Sequence, residues 1–252
     1  MDEQVLTFVL TLARVSAFIG FLPLFAQRQL PFTVKSGLAT ALTIFWFGSV
    51  SIGIELKRID ILLGMILIVK EIGVGILLSM VMGFMLIPAR IAGSYIGQEI
   101  GISMEPVTNS GSEQTTIMAS IFETSAILLF FALNLHHLLI MVLHYSMTDL
   151  AGKWDLLDLP TEHLVLMASR LTEKGLLIAA PIGVLGGIVL VTLFFLNRAA
   201  PTMNLFSVGM PLRIGLGLLG LALMTPVLWR SIEYYFQQSQ REIEQLLNYF
   251  HL

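Results

Sequence analysis

The sequence predicts an all-α protein of the integral-membrane type. Three observations carry that prediction. Of 252 residues, 56% are hydrophobic and only 12% are charged, about half the charged share of a soluble domain. The mean hydropathy is +0.85. The apolar residues also fall into six stretches at spanning length, roughly 17–25 residues each. A chain of this size cannot hide so much apolar surface in one water-soluble core.

The six stretches follow in order as Val5–Phe25, Gly37–Ile54, Ile61–Pro88, Ile117–Leu143, Gly175–Leu196 and Leu205–Trp229. Backbone groups in hydrocarbon must bond to one another, so the stretches read as helices. Pro23 and Pro31 flank the first break, and Glu55–Asp60 make the second. Connections this short make sequential helices antiparallel neighbours. Asp2 and Glu3 stand where a cleavable export signal carries positive charge, so the first stretch is expected to be retained.

Two longer polar stretches interrupt the pattern. Gly93–Thr116 carries Gly97, Gly101, Pro106 and the turn-forming run Asn109-Ser110-Gly111-Ser112. Tyr145–Lys174 holds most of the mid-chain charge, and Glu162–Lys174 is expected as a short helix entering the fifth stretch. After Trp229 the composition changes. Ile232, Tyr235, Phe236, Ile243, Leu246, Leu247 and Phe250 recur at helical spacing with Glu233, Gln237, Arg241 and Glu244 between them. The spacing predicts an amphipathic helix over 230–252. It packs on its own chain or docks a partner. With only Arg230 and Arg241 for basic charge, protein contact is favoured over a membrane surface.

Five charges stand inside apolar stretches: Arg14, Lys70, Glu71, Glu123 and Arg213. Each costs about 2.5–3.5 kcal/mol at a bilayer centre, whereas each Leu, Ile, Phe or Val returns about 0.3–0.6 kcal/mol. The first stretch can therefore insert despite Arg14, but the charge must face other helices or a polar lumen. Lys70 and Glu71 are adjacent, point to different sides of a helix and need not pair with each other. Lys and Arg are spread too evenly over the connections to fix an orientation. Ladders of small residues, Gly75-Ser79-Gly83, Gly93-Gly97-Gly101 and Gly183-Gly187, predict close helix packing within or between chains.

Much chemistry is excluded. Net charge is −3 and cysteine is absent, which leaves no basic patch for nucleic acid and no thiolate site. Neither GxxxxGK[ST] nor GxGxxG occurs, so no phosphate loop is present. His136, His137 and His144 have no HExxH context and no carboxylate at ligand spacing. They read better as helix-end residues than as metal ligands. No catalytic residue, metal site or cofactor is assigned. Read for themselves, the residues leave three classes open: a structural subunit of a channel, a small secondary transporter using Arg14, Lys70, Glu71 and Glu123, or an intramembrane enzyme built on the histidines.

The run Asn197-Arg198-Ala199-Ala200-Pro201-Thr202-Met203-Asn204-Leu205-Phe206-Ser207-Val208-Gly209-Met210-Pro211-Leu212-Arg213-Ile214 resembles the RAxPxxNxF…G.PL(K/R)I signature of the FliR/SctT family of type III export-gate proteins. Four further blocks agree in order. They are Arg14 through Ala17-Phe18, Pro23-Leu24-Phe25, Pro31 and Ser36-Gly37-Leu38-Ala39; Lys70-Glu71 with Gly75 and Gly83; Ala92-Gly93 through Gly97-Gln98 and Gly101-Ile102-Ser103; and Asn134-Leu135-His136-His137. Two positions depart from the family pattern. Glu105-Pro106 replaces a DP pair, and Leu135 stands where Gly is usual. The resemblance spans nearly the whole chain, and its blocks lean toward the flagellar branch.

The resemblance implies one export-gate domain over 1–252, made of kinked antiparallel hairpins packed into a larger helical assembly. It implies a structural, non-enzymatic subunit that forms a closed channel with FliP and FliQ homologues, near FlhB and FlhA homologues, for unfolded export substrates. The expected place is the bacterial inner membrane at the flagellar basal body, among membrane lipids and partly raised toward the periplasm. The family's central loop is a plug. By position it falls on 101–116, with Gly101, Met104, Glu105, Pro106, Asn109 and Gly111. Subunit packing is expected at Gly75, Gly83, Gly93, Gly97, Arg198, Pro201, Asn204, Phe206 and Pro211.

Overall fold

The computed structural model describes residues 3–26, 31–48, 61–102, 116–148, 161–199 and 205–250. Every regular element among them is an α-helix. In chain order these are α1 (Glu3–Phe21), α2 (Pro23–Ala26), α3 (Phe32–Phe47), α4 (Ile61–Gly83), α5 (Ile87–Ile100), α6 (Ile117–Ala132), α7 (His136–Thr148), α8 (Thr161–Ser169), α9 (Leu171–Ala199) and α10 (Leu205–Phe250). Four spans are long and apolar enough to cross a membrane: Gln4–Phe21, Leu62–Gly83, Leu164–Ala199 and Gly209–Gln245. This is the all-α, integral-membrane class that the composition predicts.

The elements differ from the sequence expectation in six places. The first stretch breaks at Leu22, between α1 and α2, and the third breaks after Gly83, before α5 begins at Ile87. The second stretch is only a 16-residue helix, α3, entered after Pro31, whose fixed φ suits a helix start. The fourth is broken by a turn at 133–135. Asn134 there takes φ 58, the left-handed conformation that Asn tolerates better than most residues, and its carbonyl accepts from the His137 N–H to restart the helix. The polar stretch beginning at Gly93 is helical as far as Ile100. The sixth stretch and the amphipathic tail form one 46-residue helix, α10, which runs through Pro211 and Pro226.

The chain divides into two compact units. The first contains α1, α2, α3, α4, α7 and the end of α10. Here α1 packs against both α3 and α4. Its buried stripe, Leu6, Leu10, Val15 and Phe18, with Ile19 beside it, recurs every three to five residues, the period of one helix face. Phe8 meets Phe47 of α3 edge-on at 5.6 Å between ring centroids, a favoured aromatic geometry.

The second unit contains α5, most of α6, α9 and α10 as far as Ser239. Here α5 lies along α9, and Gly175 of α9 sits against Ile91 and the Pro88 carbonyl. Phe130 of α6 and Phe236 of α10 meet edge-on at 6.2 Å. In the tail, Ile232, Tyr235, Phe236 and Ile243 are buried within the chain. Three of the membrane-length spans stay largely uncovered in their apolar windows, with 22% buried in Leu62–Gly83, 28% in Leu164–Ala199 and 17% in Gly209–Gln245, whereas Gln4–Phe21 is 50% buried.

Candidate functional site

Two clusters gather the charges that stand inside apolar helices. In the first unit Arg14 of α1 is 4% exposed, and its Nε donates to Glu71 Oε2 of α4 at 2.5 Å. Its Nη1 donates to the Ser146 carbonyl of α7 and to Ser146 Oγ at 2.9 Å. One guanidinium therefore ties three helices together. The approach is possible because Gly75 lacks a side chain: a Cβ there would stand 2.5 Å from the Arg14 carbonyl oxygen and 2.9 Å from Ala17 Cβ. Glu71 thus pairs away from its neighbour, as the helix geometry requires. Lys70 is half-buried and has no hydrogen bond or ion pair to any described residue.

The second unit carries the base of the expected plug. Helix α5 ends at Gly101, which takes φ 84. The Gly101 N–H donates to the Gln98 carbonyl, and the Ile102 N–H donates to the Gly97 carbonyl. These are the two bonds of a Schellman cap, in which glycine removes the Cβ penalty of the left-handed turn. The last carbonyls of α5 are held from α10. Arg213 Nε donates to the Glu99 carbonyl at 2.6 Å, Nη2 donates to that of Gln98 at 3.2 Å, and Nη2 lies 3.5 Å from the Glu99 carboxylate. A cation at a helix C-terminus also opposes the macrodipole.

On the far side of the segment, Thr116 caps α6. Its hydroxyl oxygen accepts from the Ala119 N–H at 3.2 Å, the bond of a helix N-cap. Thr116, where the described chain resumes after residue 102, lies against α5. A Cβ on Gly97 would stand 3.8 Å from Thr116 Oγ1. A Cβ on Gly93 would stand 2.6 Å from the Met118 carbonyl and 2.8 Å from Ala119 Cα. The glycine ladder of α5 is therefore the surface on which α6 rests, and it brings Thr116 back beside Gly97. Glu123 of α6, also buried, lies 3.9 Å from Arg90 Nε of α5.

Of the expected plug residues only Gly101 is placed; Met104, Glu105, Pro106, Asn109 and Gly111 lie outside the described residues, as do Pro201 and Asn204. Gly83 faces Pro23, where a Cβ would meet its ring at 2.8 Å. Arg198 and Pro211 are exposed, and Phe206 stands in the first turn of α10. The histidines do not converge. Trp46 Nε1 donates to His144 Nδ1 at 3.1 Å, and the His136 and His137 rings lie 4.3 Å apart between centroids, tilted by 41°. Among the described residues no three His, Asp or Glu side chains form a metal-type group. Sequence reasoning missed Glu99 and Ser146. Glu99 was hidden in a stretch read as polar connection, and Ser146 has no local signal at all.

Replacing Arg213 by Gln leaves carbonyls of α5 without their charged donor. The expected loss is about 1.5–3 kcal/mol, the range for hydrogen bonds to charged groups. Chemical unfolding of the purified protein measures it. Arg213→Lys is expected to recover part, since a point charge still opposes the helix dipole but has no fork.

The chain is thus an all-α protein of the integral-membrane type in which Arg14, Glu71, Glu123 and Arg213 pair from helix to helix. The profile of the family described as "Bacterial export proteins, family 1" matches residues 5–239, and the chain belongs to that family. It is similar to the flagellar biosynthetic protein FliR of Bacillus subtilis, 27% identical over 95% of this chain and 94% of that protein. It is similar also to FliR of Escherichia coli, 30% identical over 90% and 87%, and to FliR of Aquifex aeolicus, 24% identical over 99% and 96%. The FliR resemblance read from ordered residue blocks thus extends through the whole chain, and the transporter reading gains no support.

Proposed function

We propose that this chain is a flagellar protein-export component of the bacterial inner membrane, and a non-enzymatic subunit of the closed export gate. The observation that carries the reading is the family match over residues 5–239. In this reading it assembles with FliP and FliQ homologues, next to FlhB and FlhA homologues, around the path taken by unfolded substrates. The uncovered apolar faces of α4, α9 and α10 supply surface for those partners and for lipid. Part of the assembly stands raised toward the periplasm at the basal body.

The segment 101–116 serves as the plug. Its support is mechanical. A segment that closes a channel needs fixed ends and a movable middle, as gating loops generally do. The Schellman cap and Arg213 hold the leading end, and the Thr116 cap with the Gly93–Gly97 ladder holds the returning end. The middle carries Glu105-Pro106 and the turn-forming Asn109–Ser112 run.

Deleting 101–116 and rejoining the helices tests this in the assembled complex. Greater leak of ions or small molecules across the membrane is expected. A closed state as tight as that of the parent complex removes the plug from the proposal. Copurification with FliP and FliQ homologues tests the assembly separately: a chain that stays alone and monodisperse beside both counts against the subunit reading.

A further inference from the structure

A groove of about 450 Å³ lies between the start of α9 and the middle of α10, within the second unit. Its floor is apolar, with Leu177 and Val227 both well exposed. Its rim carries Lys174, Arg230 and Tyr234, and among the described residues no carboxylate lines it. Lys174 Nζ donates to Gln238 Oε1 at 2.9 Å, which leaves two of its three donors unused. Arg230 and the Tyr234 hydroxyl are exposed and bond to no described residue.

The register of these residues matters more than their number. The apolar run of α9 begins directly after Lys174, at Gly175. The apolar run of α10 ends directly before Arg230, at Trp229. Within the spans Leu164–Ala199 and Gly209–Gln245, the two cations therefore mark the same end of the two apolar runs, the level at which a bilayer's hydrocarbon would give way to headgroups. Trp229, Tyr234 and Tyr235 stand at that level too, where the amphipathic rings of Trp and Tyr are enriched. Basic pockets between membrane helices at this depth suit anionic lipid headgroups.

We propose that this groove binds an anionic phospholipid. The phosphate sits between Lys174 Nζ and the Arg230 guanidinium, the Tyr234 hydroxyl donates to a headgroup oxygen, and one acyl chain lies over Leu177 and Val227. An apolar floor alone would accept any lipid. Two cations with open donors and no facing carboxylate select the negatively charged one. The site is independent of the plug and of the gate reading, since it rests on α9 and α10 alone.

The test uses the full chain, purified with whatever subunits accompany it and reconstituted into mixed micelles of phosphatidylglycerol and phosphatidylcholine. Lipid retained on the protein is counted by native mass spectrometry. Preferential retention of phosphatidylglycerol is expected. Arg230→Gln is expected to lower that preference roughly fivefold, and adding Lys174→Gln to lower it roughly fivefold again. Arg230→Lys keeps most of it, and Lys35→Gln, elsewhere in the chain, leaves it unchanged. Arg230 has no hydrogen bond or ion pair to a described residue for its replacement to remove, so Arg230→Gln carries the test even if Lys174→Gln, which breaks the bond to Gln238, fails to fold. Equal retention of the two lipids overturns the proposal, as does a preference that Arg230→Gln leaves intact. Inorganic phosphate alone is the second arm. Displacement of phosphatidylglycerol by phosphate at matched concentration makes this a free-anion site and overturns the lipid assignment.

Discussion

Replacing Glu71 by alanine is expected to destabilise the folded chain by about 3–5 kcal/mol, the range for removing one partner of a buried ion pair. Arg14, 4% exposed, would keep its bonds to Ser146 but lose the one carboxylate that pairs with it among the described residues. The charge can neither leave nor neutralise, because a guanidinium stays protonated. Arg14→Met fails differently: Glu71 loses its donor, and α1 and α4 lose their bond to α7. The double variant Arg14→Met with Glu71→Met is expected to lie nearer the parent than either single variant, because apolar side chains of similar volume leave nothing unpaired. Denaturant titration of the three purified variants measures the coupling as a double-mutant cycle. Additive losses would show that Arg14 and Glu71 do not act as a pair.

How much of this arrangement the sequence reveals depends on what each feature requires. Helix existence follows from solvent and length, so α1, α4 and α9 are legible as apolar runs. Helix α5 is legible only in part. Its glycines at intervals of four predict close helix packing, but Pro88 and the polar composition from Gly93 onward resemble a connection, and the tight approach of α6 explains why glycines stand there. The break between α6 and α7 has a local cause in Asn134, yet Asn inside an apolar run carries no obligation to turn. The continuity of α10 through Pro226 is equally illegible, since a proline normally ends or kinks a helix.

The site divides in the same way. That Arg14 and Glu71 must be covered is readable from transfer energetics alone. That they cover each other, with Ser146 as third member, is a property of how α1, α4 and α7 pack, and no spacing of 57 or 132 residues encodes it. Ordered family blocks come closest. Gly101 and Arg213 belong to two such blocks, and the structure places a Cβ on Gly101 3.9 Å from Arg213 Cδ. The blocks therefore name positions whose common purpose, closing the end of α5, appears only in three dimensions.

The same distinction predicts opposite effects at glycines that look alike in sequence. Gly93→Ala is expected to destabilise the chain by about 1–3 kcal/mol, the usual range for overpacking, and Gly93→Val by more. The new Cβ would meet the Met118 carbonyl at 2.6 Å, Ala119 Cα at 2.8 Å and Phe122 Cβ at 2.8 Å. None of these atoms can swing aside by changing rotamer, so α5 and α6 must separate. Separation also parts the anchors of the 103–115 segment, so a gate complex carrying Gly93→Ala is expected to leak as well as to accumulate poorly. At Gly97 the nearest atoms are Met118 Cβ at 3.2 Å and Cγ at 3.5 Å, a crowding that a small shift relieves, so Gly97→Ala is expected to be milder. Gly73, also in a helix, has nothing within 4 Å. Gly73→Ala is expected to gain up to about 1 kcal/mol from helix propensity alone. Unfolding midpoints for the three alanine variants decide the matter. Equal shifts at 93 and 73 would mean that α6 does not rest on the α5 glycines, and the closed base of the segment would then lose its support.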